Sequence, residues 1–237
     1  MTSQLTETAL PTDQPIPPLE NGDHLTRPEF ERRYAAMPNL KKAELIEGRV
    51  YMASPLRFTP HAEPHSRIAT WIGTYAAFTP ETLAGIDPTL RLDLDNELQP
   101  DAVLIISEQA GGMAKLTQEG YLQGIPELVI EIAASSASMD LKTKKQVYQR
   151  HGIPEYIVWQ MFENELVWFH LREGIYQVLD QDPDGIMRSQ VFPGLWLEVA
   201  ALLNSQMSQV LRILQQGIES TEHQEFGETL ATRLENS

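Results

Sequence analysis

The 237-residue chain contains no cysteine, which removes disulfides, thiolate metal sites and thiol nucleophiles at once. Basic residues are scarce: 18 Lys and Arg stand against 33 Asp and Glu, a formal net charge of −15. A chain this acidic is not a general nucleic-acid coat, because phosphate binding calls for basic surface. No apolar run approaches the roughly 18 residues of a membrane span. No basic-then-apolar leader opens the sequence either, so a cytoplasmic protein with no membrane partner is expected. The chain also lacks a Gly-x-Ser-x-Gly elbow, a phosphate loop ending in Gly-Lys-Ser/Thr and a dinucleotide fingerprint, which sets those chemistries aside.

What is present is a foldable chain: 42% of its residues are hydrophobic, enough to bury a real core. The acidity is spread along it. Residues 41–200 alone hold 22 acids and 13 bases, so no removable acidic tail explains the charge. Uniform acidity can serve solubility alone, or some of the carboxylates can be gathered around a cation.

Residues 1–25, rich in Pro, Thr and Asp, have no periodicity and read as a flexible N-terminal tail, ordered only if something captures it. Thr26-Arg27-Pro28-Glu29 reads as a capped helix start. Ala43 to Met52 reads as two short strands around a Glu47-Gly48 turn. Ile68, Trp71, Ile72 and Tyr75 keep the helical period between His65 and Phe78. In the centre, 102–106 and 128–133 are short β-branched runs bounded by Pro and Gly, the pattern of strands buried on both faces. The stretch 108–124 between them is too long for an inert connection. A helix is predicted from about Ser138, its candidate N-cap, to His151, ended by Gly152 and Pro154. Three further strands follow between Tyr156 and Leu179. Leu202, Leu203, Met207, Val210, Leu211, Leu214 and Ile218 then keep one helical face, which either docks on the same chain or forms a homodimer contact. With 219–237 read as a C-terminal tail, residues 26–218 form a single α/β domain in this reading.

Three residues do not belong in an apolar core. Glu131 lies inside the strand run 128–133, where an isolated carboxylate costs many kcal/mol to bury, so it must be paired, protonated, metal-bound or at a cleft. Asp101 opens the preceding strand; two carboxylates at the ends of neighbouring strands can meet at one point, and hard cations such as Mg²⁺ take oxygen ligands. Lys144 shares its helix face with Leu141, Val147 and Tyr148 and so points to the core side. Glu44, on the early hairpin, is a weaker candidate, and Glu47 reads as a solvated turn residue. The pair His61 and His65 does not fit a zinc motif: Glu63 is at the wrong offset and Pro64 is expected to interrupt a helix through both.

The ordered set Glu44-Leu45-Ile46-Glu47-Gly48, Pro100-Asp101, Glu131-Ile132, Asp140 with Lys144 and Tyr148, Gly152-Ile153-Pro154-Glu155-Tyr156 and Arg188 to Leu195 resembles the Uma2 family of bacterial endonucleases, within the PD-(D/E)xK nuclease superfamily. The resemblance covers roughly residues 28–203. It implies a restriction-endonuclease-like core, a mixed central β-sheet flanked by helices, here with an additional C-terminal helix. It also implies a Mg²⁺-dependent phosphodiesterase (Mn²⁺ as a substitute) acting on nucleic acid, DNA being the expected substrate. Asp101 and Glu131 would be metal ligands and Glu44 an additional one. The superfamily's lysine position is Ala133 here, which moves that role to Lys144. Two positions depart from the family pattern, Ala134-Ser135 after the strand and Gln160 after Trp159. The alternative is a catalytically silent interaction module on the same fold, favoured by the acidity and by the single base, Arg188, in 173–200.

Overall fold

The computed structural model describes residues 15–52, 58–134 and 139–235. Residues 15–25 are not loose. Leu19 is buried, the Gly22 N–H donates to the Val50 carbonyl at 2.8 Å, and His24 bridges to Arg49. The first hairpin is what captures this aperiodic stretch; residues 1–14 of the expected tail lie outside the described residues.

Helix α1 (Arg27–Ala35) carries Pro28 in its first turn, but the Thr26 side chain makes no cap bond. Strands β1 (Ala43–Ile46) and β2 (Arg49–Met52) form the predicted hairpin. Both turn residues, Glu47 (φ 54°) and Gly48 (φ 72°), are left-handed, as a two-residue turn demands. A π-helical turn (Phe58–Ala62) runs into α2 (Glu63–Phe78), which buries Ile68, Trp71, Ile72 and Tyr75. Next come β3 (Thr82–Ile86), β4 (Leu90–Arg91), β5 (Glu97–Leu98) and β6 (Ala102–Ile106). The long stretch 108–124 holds an antiparallel pair, β7 (Ala114–Leu116) and β8 (Leu122–Gly124). Strand β9 (Leu128–Ala133) precedes a second π-helical turn (Met139–Lys144) and α3 (Lys145–His151), which ends at left-handed Gly152 (φ 80°). The expected cap, Ser138, lies outside the described residues. The chain continues through β10 (Glu155–Gln160), β11 (Glu165–Arg172), β12 (Ile175–Val178), β13 (Ile186–Arg188) and β14 (Trp196–Glu198). It closes with α4 (Val199–Leu203), α5 (Met207–Ile218) and α6 (Thr221–Glu235).

The architecture is α/β, with two mixed six-stranded sheets where one was expected. The central sheet runs β12-β11-β10-β9-β6-β3, the second β2-β1-β5-β4-β8-β7, and β13-β14 form a ribbon. One face of the central sheet is covered by α2, α5 and α6, in a core around Trp71, Trp168, Phe192 and Leu214. The other face is covered by the second sheet and α3, around Leu90, Leu98, Val129 and Val147. That double cover explains why every residue of β6, β9 and β10 is buried and why their sequences, Glu131, Glu155 and Gln160 apart, are apolar without alternation.

One pairing positions the site. β9 and β10 are parallel, so the chain must cross over between them. The crossover is the segment bearing α3, which folds back on the strand it has just left, with Val147 and Tyr148 fully buried against it.

The C-terminal end departs from expectation twice. The predicted single helix is broken at Ser205 (φ 62°) into α4 and α5, and its stripe Val210, Leu214 and Ile218 is buried in the chain's own core. Residues read as a tail form α6, anchored by buried Leu230, by Phe226 against Phe192 and by the His223–Thr79 bond of 2.9 Å. Its apolar positions are too sparse to announce a helix. Among the described residues, no helix is long and apolar enough to cross a membrane.

Candidate active site

Asp101 sits where the chain passes from β5 of the second sheet to β6 of the central one. β6 and β9 are antiparallel, with Ala102 opposite Ile130. One step on, the register sets Asp101 across from Glu131. By the alternation of strand side chains, both carboxylates lie on the face that α3 covers. Glu131 is 3% exposed. Its Oε1 accepts from Lys144 Nζ and from the Tyr148 hydroxyl, each at 2.9 Å. The predicted inward face of the helix is therefore observed: Lys144 and Tyr148, one turn apart, reach the same oxygen.

Lys144 Nζ also lies 2.9 Å from Glu44 Oε1 and 3.7 Å from Asp140 Oδ1. The Glu44 oxygen accepts from the Gln99 N–H at 2.8 Å, which fixes its direction. One ammonium is thus shared by three carboxylates drawn from β1, β9 and the π-helical turn. Burial alone would push the lysine toward neutrality, but the carboxylates outweigh it and hold its proton affinity well above the ordinary value. Burial, and then the other carboxylates of the cluster, push the Glu131 pKa well up against the pull of Lys144. The two directions agree physically: the carboxylates around Lys144 favour its proton, and their crowding around a single ammonium raises the proton affinity of Glu131.

Asp101 is held differently. Its Oδ1 accepts from His61 Nε2 at 3.1 Å and its Oδ2 from the Ile132 N–H at 2.6 Å. Lys42 Nζ lies 3.7 Å from Oδ1. Burial raises its pKa, but the His61 bond, the Lys42 charge and the Ile132 N–H win and hold it at about 2. His65 donates to the Asp101 carbonyl at 2.6 Å. Pro64 lies in the first turn of α2, where its missing N–H is not needed. One helical path therefore carries both histidines to Asp101, contrary to the expected interruption.

Among the described residues, no group of three or more His, Asp or Glu has the geometry to hold a metal ion. The donor chemistry nevertheless suits a hard cation. The carboxylates of Asp101, Glu131 and Glu44 supply oxygen, the cluster carries uncompensated negative charge, and Mg²⁺ is commonly held by only one or two carboxylates plus water and phosphate.

The sequence model of the Uma2 family, described as "Putative restriction endonuclease", matches residues 27–200. The chain belongs to the Uma2 family. No curated protein matches it. Among solved structures it is similar to one titled as a "putative nuclease belonging to DUF820" from Anabaena variabilis, at 15% identity, covering 77% of this chain and 97% of that one, with a TM-score of 0.50. At that identity the likeness concerns the fold, and it agrees with the nuclease-like α/β architecture expected from the sequence.

For this Uma2 chain, all four sequence-derived candidates, Asp101, Glu131, Lys144 and Glu44, lie on one face of the central sheet or directly over it. Lys42 and His61 were missed. Lys42 stands two residues before Glu44, and a period of two carried back from β1 would have placed them on one side. His61 meets Asp101 across 40 residues, a distance no local pattern spans. Glu47, as read, is exposed in its turn and pairs with Arg150 at 2.6 Å.

Proposed function

We propose that this Uma2 protein is a metal-dependent endonuclease of the cytoplasm that hydrolyses phosphodiester bonds in nucleic acid, DNA being the substrate. The observation that carries this reading is the register of β6 and β9, which puts Asp101 and Glu131 on one buried face beside an ammonium. Asp101 and Glu131 would hold Mg²⁺, or Mn²⁺ in its place, with Glu44 as an additional ligand. When bound, such a cation supplies Lewis-acid stabilisation of a phosphate and a more acidic water. The chain's own residues prepare the place. His61 and the Ile132 N–H aim Asp101, while Lys144 and Tyr148 hold Glu131. Lys144 keeps Glu44 and Glu131 together by neutralising part of their repulsion.

The test is cleavage of plasmid DNA and of a structured RNA with Mg²⁺ or Mn²⁺ by wild type, Asp101→Ala, Glu131→Ala and Lys144→Ala. Metal-dependent cutting by wild type, reduced about a hundredfold or more in the Asp101 and Glu131 variants, is expected, the scale of loss typical when one stabilising group is removed. Equal activity in all four overturns the assignment.

A second reading has an observation of its own. Lys144 occupies the point between Glu44 and Glu131 where a cation would sit. This favours a catalytically silent module that keeps the fold with an internal ammonium instead of a metal. Calorimetric titration separates the two: Mn²⁺ binding abolished by Asp101→Ala supports the enzyme, and no binding at millimolar Mn²⁺ supports the silent module.

A further inference from the structure

The two lysines of the site differ in what their ammonium groups have left to give. An ammonium has three donors. Lys144 directs two of them at Glu131 and Glu44, both at 2.9 Å, and faces Asp140 at 3.7 Å; its side chain is 5% exposed. Lys42 has a side chain 21% exposed, and among the described residues its one ion pair is to Asp101 at 3.7 Å, too long for a hydrogen bond. Nor does Asp101 need Lys42 for its orientation, since His61 and the Ile132 N–H already bind its two oxygens. Among the described residues, Lys42 is therefore an ammonium at the rim of a carboxylate site, within ion-pair reach of Asp101 but with no hydrogen bond to it.

We propose that Lys42 is the ammonium that meets the substrate's phosphate, and that Lys144 is a positioning residue confined to the carboxylate cluster. The inference rests on the nuclease reading and deepens it. It also addresses the acidity of the chain: a backbone approaching Asp101 and Glu131 is met by one local positive group rather than by a basic face.

The experiment is equilibrium binding of a fluorescent, phosphorothioate-protected DNA duplex and of a single strand, in Ca²⁺, across a salt series. Wild type, Lys42→Ala, Lys42→Arg and Lys144→Met are compared, with thermal unfolding measured for each. A lysine on phosphate contributes about 0.9 to the slope of log affinity against log salt, so Lys42→Ala should lower that slope by about one and weaken binding about tenfold near 0.1 M salt. Its melting temperature should fall less than that of Lys144→Met, since Lys42 pairs with Asp101 only at 3.7 Å, and Lys42→Arg should restore the slope. Lys144→Met should melt earlier and keep the wild-type slope while folded. Wild-type binding with an unchanged slope in Lys42→Ala overturns the Lys42 assignment and leaves the nuclease reading standing. No binding of either nucleic acid by wild type overturns both.

Discussion

Two glutamates on adjacent parallel strands make an instructive pair. Glu131 on β9 and Glu155 on β10 are both buried, at 3% and 0% exposure. They lie on opposite faces and toward opposite ends, since Glu155 pairs in register with Leu128 while Glu131 pairs with Val158. Their partners differ in kind. Glu155 accepts from the Gln190 N–H at 2.6 Å and the Ser189 hydroxyl at 2.7 Å, both neutral donors in the loop after β13. Glu131 meets a cation, a phenol and the field of three other carboxylates. Burial of a carboxylate therefore does not mark a site. Glu155 ties a loop to the sheet. Glu131 belongs to a cluster in which carboxylates outnumber ammonium groups, and that imbalance can be used by a cation.

The largest effect should come from Lys144→Ala. Removing the one ammonium from among Glu131, Glu44 and Asp140 leaves buried charge uncompensated, which costs roughly 3–5 kcal/mol. Urea unfolding at pH 7 measures it. Pairing Lys144→Met with Glu131→Gln should recover much of the loss; a double variant no better than Lys144→Ala would mean the charge cluster is not what the lysine serves.

The next effect isolates Glu155. Burial outweighs its hydrogen bonds and pushes its pKa up from 4.5 to about 7. The folded state then binds the proton more tightly than the unfolded one. Its stabilising contribution is complete below about pH 4.5 and is lost as the pH rises through 7, a decline of roughly 3 kcal/mol. Glu97, raised to about 7 by burial and by Glu31 beside it, acts in the same window. The difference between wild type and Glu155→Gln in denaturant titrations at pH 4.5, 6 and 7.5 therefore reports one group. A parallel pH dependence in both proteins would contradict the assignment.

The smallest effects sharpen the contrast most. Tyr148→Phe and Ser189→Ala each remove one hydrogen bond to a buried carboxylate and should cost about 1–2 kcal/mol in stability. Only Tyr148→Phe should also weaken Mn²⁺ binding, by about tenfold, because an outer partner that orients a ligand matters to the metal. If calorimetry finds the two variants alike in Mn²⁺ affinity, the distinction between the glutamates fails.

Much of this was legible in advance. The bounds of β6 and β9 follow from β-branched runs closed by Pro and Gly, because strands covered on both faces are apolar at nearly every position, Glu131 being the exception. The helical period turned Lys144 and Tyr148 inward because 3.6 residues per turn is a local constraint. The break at Ser205 and the helix α6 were not visible. The first depends on one left-handed residue, and the second on docking against Thr79, Phe192 and Ala110, far away in the chain.

By itself, then, the sequence determined the α/β class, the strand that Asp101 precedes, the strand that bears Glu131 and the inward face of the helix bearing Lys144, since each is a matter of composition and short-range period. Only the tertiary structure decided that Glu44 would share the lysine, that Lys42 and His61 would meet Asp101, and that Glu155 would be spent on a loop. Those contacts are set by sheet order and by the crossover between two parallel strands, which bring together residues tens of positions apart that share no local pattern.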